Sequence, residues 1–142
     1  MNRLILIDTS AWLFTLGPKP LPVIRQRVQE LVEKNLAAIT SPILFELLSG
    51  IQSRDNANRL AEYLSSLHVF ALTPEEWLEG AEWTNILRNK GSKVKTIDAL
   101  IAYKTFKHNL TLLHADNDLD QIAKICPVRV ESYVKHTRQS FT

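Results

Sequence analysis

The sequence contains a single cysteine and no long run of apolar residues. Cys126 by itself cannot form an internal disulfide, which favours a reducing compartment. Beside Pro127, this cysteine is better explained as a small apolar residue than as a nucleophile. The apolar stretch at residues 4–7 is interrupted by Asp8, so it is far shorter than a membrane-spanning helix or a signal-peptide core. We therefore expect a cytoplasmic protein that makes no membrane contact.

Internal repeats and low-complexity segments are also missing. The 142 residues include 45% hydrophobic and 23% charged side chains, which is close to the average for globular proteins and excludes wholesale disorder. We expect one domain over residues 1–142. Residues 135–142 contain few apolar side chains, and this composition predicts a frayed tail.

Short apolar segments alternate with amphipathic segments along the chain. Pairs of Ser or Thr followed by Pro, at residues 41–42 and 73–74, indicate two helix starts, and Glu76 is placed to complete a capping box with Thr73. The pattern predicts strands at residues 4–7, 37–40, 68–72, 110–113 and 128–130. It predicts helices at residues 11–16, 22–35, 41–50, 56–67, 74–91, 96–109 and 117–124.

Strands separated by helices predict an α/β fold, a three-layer sandwich in which helices flank a mainly parallel central sheet. In such folds, ligands bind beyond the carboxyl ends of the strands, near a switch in strand order. Asp8 and Asp116 each follow the end of a predicted strand. Both residues are therefore placed where a site is expected.

Two further carboxylates lie in early turns of predicted helices. Asp98 has a simple alternative explanation, because an acid near a helix N-terminus is stabilised by the helix dipole. Glu46 lies in a helix that is apolar almost all round. A carboxylate in such a helix either projects into a functional cleft or needs a buried partner.

Several carboxylates brought together repel one another, and a divalent cation relieves that repulsion. Mg²⁺ and Mn²⁺ prefer oxygen ligands, and two such ions about 4 Å apart assist in-line displacement at a phosphodiester. If four of the 15 Asp and Glu residues are neutralised by bound cations, 11 acidic residues remain against 17 Lys and Arg residues. That basic excess is compatible with a polyanionic substrate, although many domains of this charge bind no nucleic acid.

Four motifs together resemble those of PIN-domain nucleases, and within that family those of VapC-type toxins. The motifs are LIDTSAW at residues 6–12, TSPILFELLSG at 40–50, TIDALIA at 96–102 and LLHADNDL at 112–119. The resemblance covers about residues 4–131. Each motif alone is weak, but four in this order and spacing are fairly specific.

The resemblance implies a PIN-like fold and Mg²⁺- or Mn²⁺-dependent cleavage of single-stranded RNA by metal-activated water, with one or two ions per site. The metal-binding catalytic acids carried over are Asp8, Glu46, Asp98 and Asp116. Asp118 is a further metal ligand, and Thr9 or Ser10 would hold the Asp8 carboxylate. Asn117 either assists the site or caps the following helix. The resemblance also implies a cognate antitoxin and a homodimer.

The chain departs from the family pattern at His114, where a threonine is usual, and at Leu119, where an aromatic residue is usual. His114 either contacts phosphate or replaces a hydroxyl that orients Asp116. Basic residues between positions 88 and 95 are candidates for RNA phosphate contacts, with a solvated loop as the equal alternative. Those of interest are Arg88, Lys93 and Lys95.

Two other functions fit parts of the sequence. A PIN-like module that binds RNA or protein without cutting would keep the fold without the reaction. An aspartyl-phosphate phosphatase or receiver domain also places an Asp after a strand, but it would leave Glu46 and Asp98 unused. Trp77 and Trp83 do not share one helical stripe, so we expect one in the core and the other as an interface anchor.

Overall fold

The computed structural model of the chain describes residues 3–139. Five parallel strands form one sheet in the order β3-β2-β1-β4-β5. The strands are β1 (Ile5–Ile7), β2 (Ala37–Thr40), β3 (His68–Phe70), β4 (Thr111–His114) and β5 (Arg129–Ser132). The helices are α1 (Thr9–Leu16), α2 (Pro22–Glu33), α3 (Ser41–Ser49), α4 (Arg54–Ser65), α5 (Pro74–Asn89), α6 (Thr96–Lys107), α7 (Asn117–Ala123) and α8 (Val134–Gln139). Within the described residues, no helix combines the length and apolar character needed to cross a membrane.

The predicted α/β fold with a parallel sheet is confirmed, and the strand order fixes where a site can form. Strands β1, β2 and most of β4 are fully buried, as expected for a sheet covered by helices on both faces. From β1 the chain continues to β2 and then to β3, which lie on one side of β1. Strand β4 pairs with the other side of β1, and β5 lies next to β4 at the edge of the sheet. The strand order therefore switches between β1 and β4, where a crevice opens at their carboxyl ends.

Two asparagines end helices immediately before strands that line the core. Asn35 (φ 59°) follows α2, and Asn109 (φ 56°) follows α6; both adopt the left-handed conformation that terminates a helix. The sequence predicted Asn109 as such a stop. These turns return the chain to the amino ends of β2 and β4, so both strands point their carboxyl ends at the crevice.

Helix α5 packs closely on α6, the helix that carries Asp98. A Cβ added to Gly80 would lie 2.8 Å from Leu100 Cδ1, so the glycine permits the close approach of the two helices. The predicted capping box is present: Thr73 and Glu76 exchange hydrogen bonds at the N-terminus of α5. The Glu76 carboxylate also accepts two 2.7 Å hydrogen bonds from buried Lys104 Nζ. The α5–α6 pair is therefore joined by close packing and by a buried ion pair.

The C-terminal segment contains a helix that the sequence pattern did not indicate. Residues 134–139 form α8, while residues 140–142 of the predicted tail lie outside the described residues. The helix is held by the Tyr133 N–H, which donates to His114 O at 2.8 Å, and by Val134, which is 6% exposed. One buried valine and a backbone hydrogen bond, rather than an apolar stripe, hold this helix, and fraying of the tail stays a prediction.

Candidate metal and catalytic site

Two acids cap helices at the carboxyl ends of neighbouring strands. Asp8 follows β1 and accepts a 3.0 Å hydrogen bond from the Ser10 N–H at the start of α1. Asp116 follows β4 and accepts a 2.9 Å hydrogen bond from the Asp118 N–H at the start of α7. Because Ile7 pairs with Leu113, the two strands end at nearly the same level. The sheet register therefore brings the two caps to one crevice.

Ser10 connects these two strand ends. Its hydroxyl donates to Asp8 Oδ2 at 2.6 Å and accepts from the Ala115 N–H at 2.9 Å. Asp8 is only 4% exposed, and this burial raises its pKa, while the hydrogen bonds from Ser10 act in the opposite direction. The prediction that Ser10 holds the Asp8 carboxylate thus agrees with the hydrogen bonds seen.

Asp98, in the first turn of α6, completes an acidic cluster. One carboxylate oxygen from each of Asp98, Asp116 and Asp118 lies within 4.8 Å of the others. Burial raises the pKa of Asp98 to about 6, and the charges of Asp116 and Asp8 add to the effect. Asp98 Oδ2 is buried and has no hydrogen-bond partner. A buried, unpartnered carboxylate oxygen among like charges is the arrangement that a bound divalent cation satisfies.

Glu46 contacts the first residue of α1, directly after Asp8. Its side chain is exposed on α3, and Glu46 Oε1 accepts a 2.9 Å hydrogen bond from the Thr9 hydroxyl. The sequence prediction allowed Thr9 to hold Asp8; Thr9 instead binds Glu46, because α3 faces the first turn of α1. Glu46 therefore binds the residue that follows Asp8 in the chain. It is not among the three acids whose carboxylate oxygens lie within 4.8 Å of one another.

His114 is fully buried at the end of β4. Its Nδ1 accepts a 3.2 Å hydrogen bond from the Asp116 N–H. Its Nε2 lies 3.1 Å from Asp120 Oδ1, without the alignment of a hydrogen bond. Burial lowers the pKa of His114, and a neutral ring that accepts at Nδ1 carries its proton on Nε2. Of the two roles that the sequence left open for His114, its burial offers no exposed atom to a phosphate, whereas the hydrogen bond from the Asp116 N–H fits the role of orienting Asp116.

The basic residues before Asp98 have different environments. Arg88 Nη2 donates to Val94 O at 3.2 Å and to the Thr96 hydroxyl at 3.0 Å, so it braces the loop between α5 and α6. Lys95 Nζ lies 2.8 Å from Asp118 Oδ2 at the edge of the acidic cluster. Lys93 is exposed. The two lysines therefore remain candidates for phosphate contacts, while Arg88 already has two acceptors.

Other residues beside the cluster received little weight or none from the sequence. Asn117 does not cap α7, because Asp116 does; Asn117 Oδ1 instead lies 3.4 Å from Arg138 Nη2. Asp120 was missed, although its position four residues after Asp116 places both on one side of α7. Its Oδ2 accepts from the Ser132 hydroxyl at 3.1 Å, joining α7 to β5. No motif pointed to Arg138 or Ser132.

Comparison with known proteins gives concordant matches in sequence and in structure. The PIN domain family model matches residues 5–125. Ribonuclease VapC11 of Mycobacterium tuberculosis is 31% identical over 137 residues, which cover 92% of this chain and 99% of that protein. Ribonuclease VapC21 of the same organism is 30% identical over 114 residues, covering 78% of this chain and 83% of that protein.

Two solved structures are similar to this chain in fold. VapBC2 from Rickettsia felis, bound to a DNA fragment from its promoter, gives a TM-score of 0.73 at 21% identity and covers 92% of this chain and 98% of that one. DNA-bound VapBC from Salmonella typhimurium gives a TM-score of 0.73 at 23% identity, with the same coverage.

Proposed function

This chain belongs to the PIN-domain family, and from that premise we propose that it is an endoribonuclease that requires Mg²⁺ or Mn²⁺ and cleaves single-stranded RNA. We propose further that it is the toxin of a toxin–antitoxin pair. The observation that carries the catalytic proposal is the cluster of Asp98, Asp116 and Asp118, in which the buried Asp98 Oδ2 has no hydrogen-bond partner. The names of the VapC ribonucleases that match over most of the chain support the choice of RNA as substrate.

The residues that would hold one or two cations are the acids gathered at the crevice, namely Asp8, Glu46, Asp98, Asp116 and Asp118. A divalent cation bound there supplies a Lewis acid that activates water and neutralises charge on the phosphate. Ser10 and Thr9 orient Asp8 and Glu46 through their hydroxyls, so these carboxylates are held before substrate arrives.

The expected reaction is direct hydrolysis, without attack by the RNA 2′-OH, because a cation held by these acids would lower the pKa of a water molecule at the phosphodiester. Direct hydrolysis leaves a 5′-phosphate and a 3′-hydroxyl. Products that carry a 2′,3′-cyclic phosphate would contradict this part of the proposal.

Replacement of one acid tests the whole proposal. We expect Asp8→Asn to lower the rate of RNA cleavage in Mg²⁺ by more than about 100-fold, beyond the loss usual for residues that only support a ligand. The matched control is Asp55→Asn, which removes an acid from the first turn of α4 and should leave the rate unchanged. The measurement is cleavage of single-stranded RNA with and without EDTA, followed by sequencing of the RNA ends.

The same experiment tests the rival functions. Cleavage that persists in EDTA, or in the Asp8→Asn variant, would contradict a metal-dependent reaction at this cluster. RNA binding without cleavage by the wild-type protein would favour a non-cleaving PIN-like module. Transfer of phosphate to Asp8 would favour the aspartyl-phosphate alternative.

Two protein partners belong to the proposal. The matched structures are named as VapBC complexes, which supports a cognate antitoxin for this chain. A homodimer is supported by an apolar face on α3, α5 and α6, where Phe45 is 74%, Trp77 51% and Ile97 41% exposed. Two hollows of about 350 and 190 Å³ on this face share Trp77 and Ile97. A cytoplasmic location, where an antitoxin and RNA are both available, completes the proposal.

A further inference from the structure

A polar hollow of about 550 Å³ lies between α7, β5 and α8, outside the acidic cluster. Its charged lining consists of three cations and one acid, namely Lys124, Lys135, Arg138 and Asp120. The three cations come from two helices that are separate in sequence, so the sequence alone does not group them. The excess of positive charge makes the hollow a candidate site for an anion.

The cations of the hollow have no acidic partner within the part of the chain that the structure describes. Among the described residues, Lys124, Lys135 and Arg138 form no ion pair. Lys124 Nζ has a single long contact of 3.5 Å, to Gln121 Oε1. The one acid, Asp120, contacts the Ser132 hydroxyl and His114 Nε2 rather than any of the three cations. The three cations therefore have no carboxylate partner among the residues that line the hollow.

The walls of the hollow are fixed by the fold. Strand β5 pairs with β4 over four residues, and the Ser132 hydroxyl accepts from the Val134 N–H at 3.3 Å where β5 passes into α8. Val134 is buried and anchors the helix. The backbone that carries Lys135 and Arg138 is thus held against the sheet, which lowers the entropic cost of binding an anion between them.

The hollow adjoins the acidic cluster. Arg138 Nη2 lies 3.4 Å from Asn117 Oδ1, and Asn117 is also part of the hollow's lining. Asn117 follows Asp116 directly, so their Cα atoms are about 3.8 Å apart. A strand with one phosphate at the acidic cluster can therefore reach the hollow with a neighbouring phosphate. Cations at that position also offset the repulsion between the acids and the rest of a polyanion.

We propose that the hollow formed by Lys124, Lys135 and Arg138 binds a backbone phosphate of the RNA strand next to the scissile bond. This inference rests on the proposed ribonuclease function and adds a binding subsite to it. The contacts are to phosphate, so they fix the position of the strand without reading its sequence. Nucleic acid is favoured over an acidic peptide because the hollow is continuous with the residues expected to act on a phosphodiester.

The test compares two double variants that each remove two exposed cations. Lys135→Ala with Arg138→Ala removes charge from the hollow, while Arg54→Ala with Arg59→Ala removes it from α4, which precedes β3 at the opposite edge of the sheet. We expect the hollow variant to raise KM for a single-stranded RNA oligonucleotide about tenfold with kcat unchanged. The slope of log Kd against log salt should fall by about 0.7, the value for the loss of one phosphate contact on a single strand.

The outcomes separate this inference from the proposed function. Equal KM and equal salt slope for the hollow variant, the control and the wild type would overturn the subsite, even if the wild type cleaves RNA. If the wild type fails to cleave but binds RNA, with weaker binding in the hollow variant alone, the proposed reaction fails and the subsite stands. Thermal unfolding of each variant verifies that the folds are equivalent.

Discussion

The carboxylate of Asp98 is expected to bind a cation, but its negative charge destabilises the folded protein when no cation is bound. Burial and the neighbouring carboxylates raise its pKa to about 6, whereas an unfolded Asp titrates near 3.8. Between these two pH values the native state binds more protons than the unfolded state. The free energy of unfolding therefore falls as pH rises through this window, and the metal-free protein carries a destabilising charge at pH 7.

We expect Asp98→Asn to stabilise the metal-free protein at neutral pH, because the amide carries no charge. In EDTA at pH 7, Tm should rise by roughly 3 °C, the shift that about 1 kcal/mol produces in a chain of this size. The difference between variant and wild type should shrink at pH 4, where Asp98 is protonated in the native state. Differential scanning calorimetry at both pH values measures it.

The effect of added Mg²⁺ on Tm tests whether the charge of Asp98 helps to bind a cation. Binding to the native state should raise the Tm of the wild type, and the rise should be smaller in Asp98→Asn, which lacks one charged ligand. Asp55→Asn, which removes an exposed acid from α4, is the control and should respond to Mg²⁺ as the wild type does. A wild-type Tm that is independent of both EDTA and Mg²⁺ would argue against a cation at this cluster.

At the scale of elements, the α5–α6 pair depends on one buried ion pair. Lys104 and Glu76 are 2% and 3% exposed, and Lys104 Nζ also donates to Ala71 O at 3.0 Å. Burial acts to raise the pKa of Glu76, but the hydrogen bonds from Lys104, the Thr73 N–H and His108 outweigh it and lower the pKa to about 2. This carboxylate therefore stabilises the fold above about pH 4.5, and its contribution is lost as pH falls toward 2.

We expect Lys104→Met to lower the free energy of unfolding by about 3–5 kcal/mol, because it leaves the Glu76 charge buried without its cation. The matched control is Lys107→Met, one turn along α6, whose partner Glu79 is half-exposed; that change should cost less than about 1 kcal/mol. Urea unfolding at pH 7 measures both.

A double variant tests the reason for the loss. Replacing Glu76 by Gln in the Lys104→Met background removes the unpaired charge and keeps a side chain that can cap α5, so much of the lost stability should return. Equal costs for Lys104→Met and Lys107→Met would refute the importance of the buried pair for the α5–α6 contact.

At the scale of the whole molecule, the apolar face around Trp77 is the surface that folding leaves uncovered. Of the two tryptophans on α5, Trp83 packs partly buried against the core with its ring 6.1 Å from that of Tyr103, while Trp77 is half-exposed. The sequence predicted this division without saying which tryptophan faces outward. Monomeric proteins rarely leave such a patch uncovered, which supports its burial by a second copy.

We expect Trp77→Asp to convert a dimer into a monomer, since a stable interface of about 800 Å² per partner does not tolerate an unpaired charge near its centre. Leu13→Asp is the control, because Leu13 is 57% exposed but lies on α1, which contributes no residue to this face. Light scattering coupled to size-exclusion chromatography distinguishes the two states. A wild type that is monomeric at all accessible concentrations, or equal effects of the two substitutions, would contradict the assignment of this face.

The sequence by itself determined the fold class, and its candidate acids include the three whose oxygens lie within 4.8 Å of one another, Asp98, Asp116 and Asp118. Buried apolar segments, proline and asparagine at helix ends, and the capping box at Thr73 are local signals, and the structure has the predicted elements with small shifts at their ends. Asp8 and Asp116 could be predicted because each follows an apolar strand, at the edge of the sheet where such folds bind ligands.

Tertiary structure decided the contacts that join segments distant in the chain. Thr9 binds Glu46 rather than Asp8, and His114 supports the Asp116 turn from the interior, because the strand order β2-β1-β4 sets which loops meet. Helix α8 and the cations around Arg138 become significant only when β5 places them beside α7. Sequence pattern reports the environment of each residue along its own element, whereas a site depends on the distances between elements, and those are set by the packing of the whole sheet.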